Sequence, residues 1–112
     1  MSEYAALSDS LRGIVDALVE SIDPQKVVLF GSHARGDATD ESDIDLFIQI
    51  DSGLDTDEAT KTAYRTLRKL KIRPPIGIDV VVKDQTFVDL YGDRIGTIVR
   101  PVLAEGKVLY AR

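Results

Sequence analysis

The sequence lacks several features on which whole classes of protein depend. It contains no cysteine, which excludes disulfides, thiolate zinc sites and a cysteine nucleophile and is compatible with a reducing compartment. No apolar run approaches the ~20 residues that a membrane span requires. The first residues also lack the basic and then apolar pattern of a signal peptide. We therefore expect a cytoplasmic protein without membrane contact.

An excess of positive charge is also missing. The chain has 19 acidic and 14 basic residues, which give a formal net charge of −5 at pH 7. Nucleic-acid-binding proteins usually present a basic surface, because contacts with phosphates dominate their affinity, so we expect no direct nucleic-acid binding. The basic residues that do cluster fit a solvated helix face; they are Lys61, Arg65, Arg68, Lys69, Lys71 and Arg73.

The chain of 112 residues has the length of one domain, and we expect a single domain over 1–112. Hydrophobic periodicity predicts helices alternating with short strands, which favours an α/β fold with a small mixed sheet of three to four strands packed with helices. The helices are predicted over 4–21, 32–38, 57–71, 86–91 and 94–104, with a cap at Asp55 or Thr56 and a kink at Pro101. The strands are predicted over 27–30, 43–50, 76–83 and 108–110.

The stretch 27–50 carries the strongest chemical pattern. A short apolar strand ends at Gly31 and Ser32, and ten residues later a second strand carries Asp43 and Asp45. Side chains alternate along a strand, so these two carboxylates project side by side from one face. The alternate apolar residues of the second strand point to the other face; they are Ile44, Leu46, Ile48 and Ile50.

Acidic residues are unusually dense here. Five acids fall within nine positions; they are Asp37, Asp40, Glu41, Asp43 and Asp45. Like charges held close together raise one another's pKa and destabilise a site unless a cation lies among them. Oxygen ligands without cysteine or histidine suit Mg²⁺ or Mn²⁺, and Mg²⁺ completes its coordination with water and substrate phosphates.

The Gly-Ser pair suits those phosphates. Glycine lets the backbone approach a ligand closely, and the N–H groups at the start of the following helix point at an anion. Other phosphate-binding motifs are absent from the sequence. Gly31 and Gly36 are not followed by the Lys-Ser/Thr of a P-loop, and no G-x-G-x-x-G occurs. One half of the stretch therefore holds a phosphate and the other half holds the metal that the phosphate shares.

At these residues the chain resembles a known family. A strand, Gly31-Ser32, ten residues and then Asp43-Ile44-Asp45 is similar to the signature of the polymerase-β-like nucleotidyltransferases. The segment FGSHARGDATDESDIDL most resembles the minimal nucleotidyltransferase antitoxins, which are partnered with HEPN ribonuclease toxins. The motif covers about a fifth of the chain, and the order of the predicted elements on both sides also fits.

The resemblance implies a third acid on a strand beside the Asp-x-Asp pair. Asp79 is the candidate, since it is a charged residue within the apolar run IGIDVVV, where an unpaired buried charge would be costly. The alternative is an aspartate at the exposed end of its strand, paired with an arginine.

The resemblance also implies the reaction. A nucleoside triphosphate lies with its phosphates at Gly31 and Ser32, and Asp43, Asp45 and Asp79 hold two Mg²⁺ ions, which in such sites lie ~3.5–4 Å apart. AMP passes from ATP to a tyrosine of a HEPN toxin partner, which silences the ribonuclease. Two alternatives stay open: a non-catalytic antitoxin that neutralises its partner by contact, and a nucleotidyltransferase for small molecules such as aminoglycosides.

Three residues flank this motif. Arg35 lies three residues after Ser32, on the same side of a helix, and either reaches a phosphate oxygen or pairs with Asp37 or Asp40. Ser42 matches the Ser-Asp of the family and is expected to orient Asp43 at the nucleotide site by a hydrogen bond. His33 stands where the family often has arginine, and is either catalytic or solvent-facing.

Overall fold

A computed structural model describes residues 3–39, 41–70, 76–92, 102 and 104–112. The elements that lie within these ranges are α1 (Glu3–Ile22), β1 (Lys26–Phe30), α2 (Ser32–Arg35), β2 (Ile44–Ile50), α3 (Thr56–Lys69), β3 (Ile78–Asp84), α4 (Gln85–Tyr91) and β4 (Lys107–Ala111). Most of the helix predicted over 94–104, including the kink at Pro101, lies outside the described residues. Val102 and Ala104, which are described, are helical, as is Glu105, the residue after the predicted end. No helix in the described part of the chain is long and apolar enough to cross a membrane.

The ends of the helices follow local signals in the sequence. The carboxylate of Asp55 accepts hydrogen bonds from the N–H groups of Asp57 at 2.9 Å and Glu58 at 3.2 Å, so Asp55 is the cap of α3. The helix α2 is shorter than the predicted 32–38. It ends at Arg35 because Gly36 takes the left-handed conformation with φ 88° and closes the turn.

The four strands form one mixed sheet in the order β3-β2-β1-β4. The strand β1 lies antiparallel to both β2 and β4, whereas β2 and β3 are parallel. Parallel neighbours need a crossover connection, and α3 lies in the segment that links them. The predicted α/β fold with a mixed sheet of three to four strands is confirmed.

The main core lies on the face of the sheet that α1 and α3 cover. The predicted alternation of β2 is confirmed, since Ile44, Leu46, Ile48 and Ile50 are all 0–1% exposed. They pack with buried residues of both helices, among them Ile14, Leu18, Ala63 and Leu67. Burying this apolar stripe is the main driving force that holds the two helices on the sheet.

A smaller apolar cluster covers the opposite face. Phe47 and Val28 pack there with Val102, and the side chains of Phe87 and Val88 on α4 lie against them. Gln49 is also buried, but its amide donates to the Gln25 side chain at 2.7 Å and to the Gln85 side chain at 3.0 Å. The side chains in the second half of β2 are therefore buried, whereas Asp43, just before the strand, is exposed and Asp45, near its start, is partly buried.

The strand β3 lies at an edge of the sheet, where α3 provides one bond. The Val80 N–H donates to the hydroxyl of Tyr64 at 3.0 Å. A Tyr64→Phe variant leaves this N–H without that acceptor, and we expect it to lower the free energy of unfolding by about 1 kcal/mol. Urea unfolding followed by circular dichroism measures the change.

The matched control for this prediction is Tyr110→Phe. The Tyr110 ring is also partly buried, but its hydroxyl has no hydrogen bond with another described residue. We expect this variant to unfold at the urea concentration of the wild type. Equal losses in the two variants would show that the bond to Val80 contributes nothing specific.

Candidate active site

The Gly-Ser pair forms the bend between β1 and α2. Gly31 has φ 75° and ψ −156°, a conformation that is open to glycine and strained for other residues. Its carbonyl accepts the N–H groups of Ala34 and Arg35, both at 3.1 Å, so the chain turns directly from the strand into the helix. Both residues of the pair are partly exposed, which leaves the bend accessible to a ligand.

The carboxylate of Asp45 lies against this bend. Asp45 pairs with Phe30, the last residue of β1, so its side chain is next to Gly31. A Cβ placed on Gly31 would lie 3.2 Å from the carboxylate carbon of Asp45 and closer still to an oxygen. Only a residue without a side chain leaves this space free for the carboxylate.

Asp43 meets a second glycine in the same way. Gly77 precedes β3, and its carbonyl accepts the N–H of Ile44 at 2.8 Å. A Cβ on Gly77 would lie 2.8 Å from the carboxylate carbon of Asp43. Sequence analysis missed Gly77, although a glycine next to an apolar strand is a known sign of close approach by another group.

The parallel register between β2 and β3 brings the third acid to this place. Asp79 is the direct neighbour of Asp45 across the two strands. Both Asp43 and Asp79 are exposed, while Asp45 is partly buried. The three acids predicted from the sequence therefore lie at one end of the sheet, beside the Gly31 bend.

Burial and these neighbours change the acidity of Asp45. Desolvation is the largest cause that raises the pKa of the Asp45 carboxyl above its ordinary value of 3.8, followed by the charges of Asp79 and then Asp43. The charges of His33 and Arg35 act in the opposite direction. The site therefore favours a bound proton or another cation at Asp45.

The donor set suits a metal that keeps part of its coordination for substrate. Within the described ranges, no three or more acidic or histidine side chains lie close enough together to hold a metal ion by themselves. Mg²⁺ does not require such a cluster, because it usually binds one or two carboxylates and takes its other ligands from water and phosphates. Carboxylates beside an open bend fit that requirement.

Arg35 pairs with two carboxylates that do not belong to the Asp43, Asp45 and Asp79 set. Its guanidinium forms ion pairs with Asp37 and with Glu105, both at 3.3 Å, so the predicted pairing with Asp37 is present. Asp40 lies outside the described residues. The role of Arg35 in binding nucleotide stays a prediction, and Glu105, which lies 70 positions away in the chain, was missed.

Ser42 and His33 are connected to each other. The Ser42 hydroxyl accepts a hydrogen bond from the Thr39 N–H at 2.9 Å and lies 3.2 Å from the Thr39 hydroxyl. These bonds close a turn and replace the expected hydrogen bond from Ser42 to Asp43. One ring nitrogen of His33, Nε2, lies 3.0 Å from the Ser42 carbonyl. His33 is thus partly buried and ties α2 to the residue before Asp43, a role that sequence analysis did not consider.

Comparison with known proteins agrees with this geometry. The family model described as Polymerase beta, Nucleotidyltransferase matches residues 13–112. A protein of Methanocaldococcus jannaschii named "Putative protein adenylyltransferase MJ0604" is 38% identical over 87 residues, which make up 77% of this chain and 78% of that protein. "Putative protein adenylyltransferase MJ1379" of the same organism is 35% identical over 51 residues, 46% of this chain and 51% of that protein.

Two solved structures have a similar fold. A crystal structure of a putative nucleotidyltransferase from Sulfolobus solfataricus aligns with a TM-score of 0.61 at 22% identity, over 96% of this chain and 87% of that one. A crystal structure of a toxin-antitoxin with AMP-PNP aligns with a TM-score of 0.52 at 22% identity, over 89% of this chain and 73% of that one. The family match, the relatives and the shared fold lead to one conclusion: the chain belongs to the polymerase β nucleotidyltransferase family.

Proposed function

We propose that the protein transfers AMP from ATP to a hydroxyl group of a partner protein, with Mg²⁺ as the cofactor. The acceptor is a tyrosine of a HEPN ribonuclease toxin, and the transfer silences the toxin in the cytoplasm, so the protein acts as an antitoxin. The observation that carries the proposal is the position of Asp45, pressed against the Gly31 bend with Asp79 beside it and a raised pKa.

The relatives support the choice of substrate and partner. The protein that is 38% identical to this chain is named as a putative protein adenylyltransferase, and this supports a protein as the acceptor. The toxin-antitoxin structure contains AMP-PNP, an analogue of ATP, and this agrees with ATP as donor and a toxin as partner.

We assign a role to each group at the open end of the sheet. Gly31 and Ser32 receive the phosphates of ATP, since the bend allows the backbone to approach them. Asp43, Asp45 and Asp79 are the residues that would hold Mg²⁺, and a bound Mg²⁺ would neutralise charge on the phosphates and the leaving group. Asp79 is exposed and so accessible to an acceptor, and we assign to it the activation of the acceptor hydroxyl.

The proposed step is an in-line displacement. The acceptor oxygen forms a bond with the α-phosphorus, and the bond from that phosphorus to the oxygen bridging to the β-phosphate breaks. Pyrophosphate leaves with the electron pair of the broken bond, and the carboxylate of Asp79 accepts the proton of the hydroxyl. AMP stays on the acceptor as a phosphodiester.

Labelled ATP tests this function. The purified protein is incubated with Mg²⁺, the product of the neighbouring gene and ATP that carries radioactive phosphorus in either the α- or the γ-phosphate. We expect the α-label to appear on the neighbour's product, because AMP retains only that phosphorus. We expect none from γ-labelled ATP, and none from either donor when EDTA removes Mg²⁺.

The two labels separate the competing outcomes. Transfer of the γ-label would identify a kinase and overturn the proposal. No transfer to a purified, active and unmodified toxin would also overturn it. Release of the label from the modified toxin by a phosphodiesterase would agree with the proposal, because AMP is attached through a phosphodiester bond.

A further inference from the structure

The helix α3 carries a row of positive charges on a protein that is otherwise acidic. Lys61, Arg65 and Arg68 are all exposed and lie four and three positions apart, so they share one face of the helix. We call these three residues the α3 cationic stripe. The whole chain has a net charge of −5, so this face differs in sign from the rest of the molecule.

Carboxylates of the protein do little to neutralise the stripe. Lys61 pairs with Glu58 at 3.6 Å, but both side chains are more than 60% exposed, where such pairs are weak. The Arg65 guanidinium donates to the carbonyl of Lys61 at 3.5 Å. Neither Arg65 nor Arg68 has an ion pair with a carboxylate in the described part of the chain.

The stripe borders a shaped surface. With Thr60 and Tyr64 it lines an open groove of about 450 Å³. Tyr64 is 37% exposed, and its ring is held in place because the hydroxyl accepts the Val80 N–H. A fixed aromatic ring beside arginines that have no carboxylate partner in the described part of the chain is a feature of interaction surfaces rather than of a uniformly solvated helix face.

The helix that carries the groove is bonded to the edge strand β3 and runs toward the end of the sheet with the acids. Val80, which Tyr64 contacts, is the residue next to Asp79 on β3. The helix α3 follows β2 and precedes β3, which are parallel, so it runs back toward the end of the sheet where Asp45 and Asp79 lie. The stripe thus leads along β3 from Lys61 to Arg68 in the direction of the site.

From this placement we propose that the α3 cationic stripe docks an acidic segment of the acceptor protein and so presents its hydroxyl to Asp79. The inference rests on the proposed function for the identity of the acceptor. Complementary charge at the rim of an interface acts mainly on the association rate and on orientation. RNA is the other polyanion that a cationic surface can bind, and the test below distinguishes it from an acidic protein segment.

Charge reversal tests the stripe without relying on catalysis. The variant Lys61→Glu/Arg65→Glu/Arg68→Glu is compared with Arg12→Glu/Lys26→Glu/Lys107→Glu, which makes the same change in net charge at exposed residues elsewhere. The probe is a fluorescent polyglutamate peptide, followed by anisotropy at low salt. We expect the stripe variant to bind it at least about ten-fold more weakly than the wild type, while the control variant changes it less than about three-fold.

A second arm measures AMP transfer to the toxin. In the stripe variant we expect KM for the toxin to rise about ten-fold or more with little change in kcat, since the stripe contributes to docking and not to the chemical step. The rise in melting temperature caused by Mg²⁺ and ATP stays at the wild-type value, which shows that the nucleotide site is intact.

Each outcome decides the proposal. Equal polyglutamate binding by the two variants overturns it, and so does an unchanged KM for the toxin. Polyadenylate RNA is tested in the same way. If it binds the wild type more tightly than polyglutamate does, and binds the stripe variant more weakly, the stripe is a nucleic-acid surface and the proposal is overturned. If the wild type transfers no AMP, the proposed function fails, and a loss of polyglutamate binding confined to the stripe variant still supports an acidic partner.

Discussion

A Gly31→Ala variant is expected to lose AMP transfer by about a hundred-fold or more, because displacing a reacting group by ~1 Å has effects of that size. The new Cβ would lie 3.2 Å from the Asp45 carboxylate carbon and overlap one of its oxygens. Either the carboxylate or the bend must move, and both are needed at the same place. The backbone conformation of Gly31, with φ 75° and ψ −156°, adds strain of about 1–3 kcal/mol for alanine.

Variants at two other glycines separate the effect of backbone strain from that of steric overlap with a carboxylate. Gly53 has φ 85° with nothing within 4 Å of a new Cβ, so Gly53→Ala is expected to lower stability and leave AMP transfer near the wild-type rate. Gly77→Ala would push against Asp43 without a positive φ, and is expected to reduce transfer at nearly unchanged stability. Rates of α-label transfer and urea unfolding measure both quantities. A folded Gly31→Ala protein with the rate of the Gly53→Ala protein would contradict the assigned site.

An Asp45→Asn variant is expected to lose activity and gain stability. Amide oxygen binds Mg²⁺ less well than carboxylate, and metal stabilisation of the transition state contributes several kcal/mol, so we expect a loss of about a hundred-fold or more. In the absence of Mg²⁺ the variant is expected to unfold at a higher temperature, since it removes a charge that burial, Asp79 and Asp43 all disfavour. The Mg²⁺- and ATP-dependent rise in melting temperature should disappear.

The pH dependence of this gain follows from the raised pKa. A group whose pKa is higher in the folded than in the unfolded state contributes stability below the unfolded value, here 3.8, and loses it as the pH rises through the folded pKa. The stability difference between Asp45→Asn and the wild type should therefore grow with pH above 3.8 and then level off. Urea unfolding in EDTA across this range measures it.

The exposed residue Asp16 on α1 serves as the control. Asp16→Asn is expected to match the wild type in the rate of AMP transfer. If Asp45→Asn were active at the wild-type rate, the metal role of Asp45 would be wrong. An inactive variant that still neutralises the toxin would favour the non-catalytic antitoxin over the enzyme.

Several parts of the site follow from local rules that the sequence displays. The alternation of a strand is enough to place Asp43 and Asp45 on one face, because side chains repeat every two residues. The bend at Gly31 follows from a short apolar strand that meets a glycine. The cap at Asp55 and the left-handed turn at Gly36 likewise depend only on neighbouring residues.

Other parts depend on contacts between distant segments. The pairing of Asp37 with Arg35 is local, but Glu105 reaches Arg35 from 70 positions away. The burial of Gln49 requires the side chains of Gln25 and Gln85 to arrive from other elements. No local pattern distinguishes such a residue from one that faces solvent.

The sequence by itself determined that two carboxylates share one face of a strand and that a glycine-serine bend follows another strand, since strand period and glycine conformation are properties of a few consecutive residues. Only the tertiary structure decided that Asp79 sits beside Asp45, that Gly77 makes room for Asp43, and that Tyr64 of α3 is bonded to Val80 of β3. Register between parallel strands arises from the burial of whole apolar faces against α1 and α3, which is a property of the packed molecule.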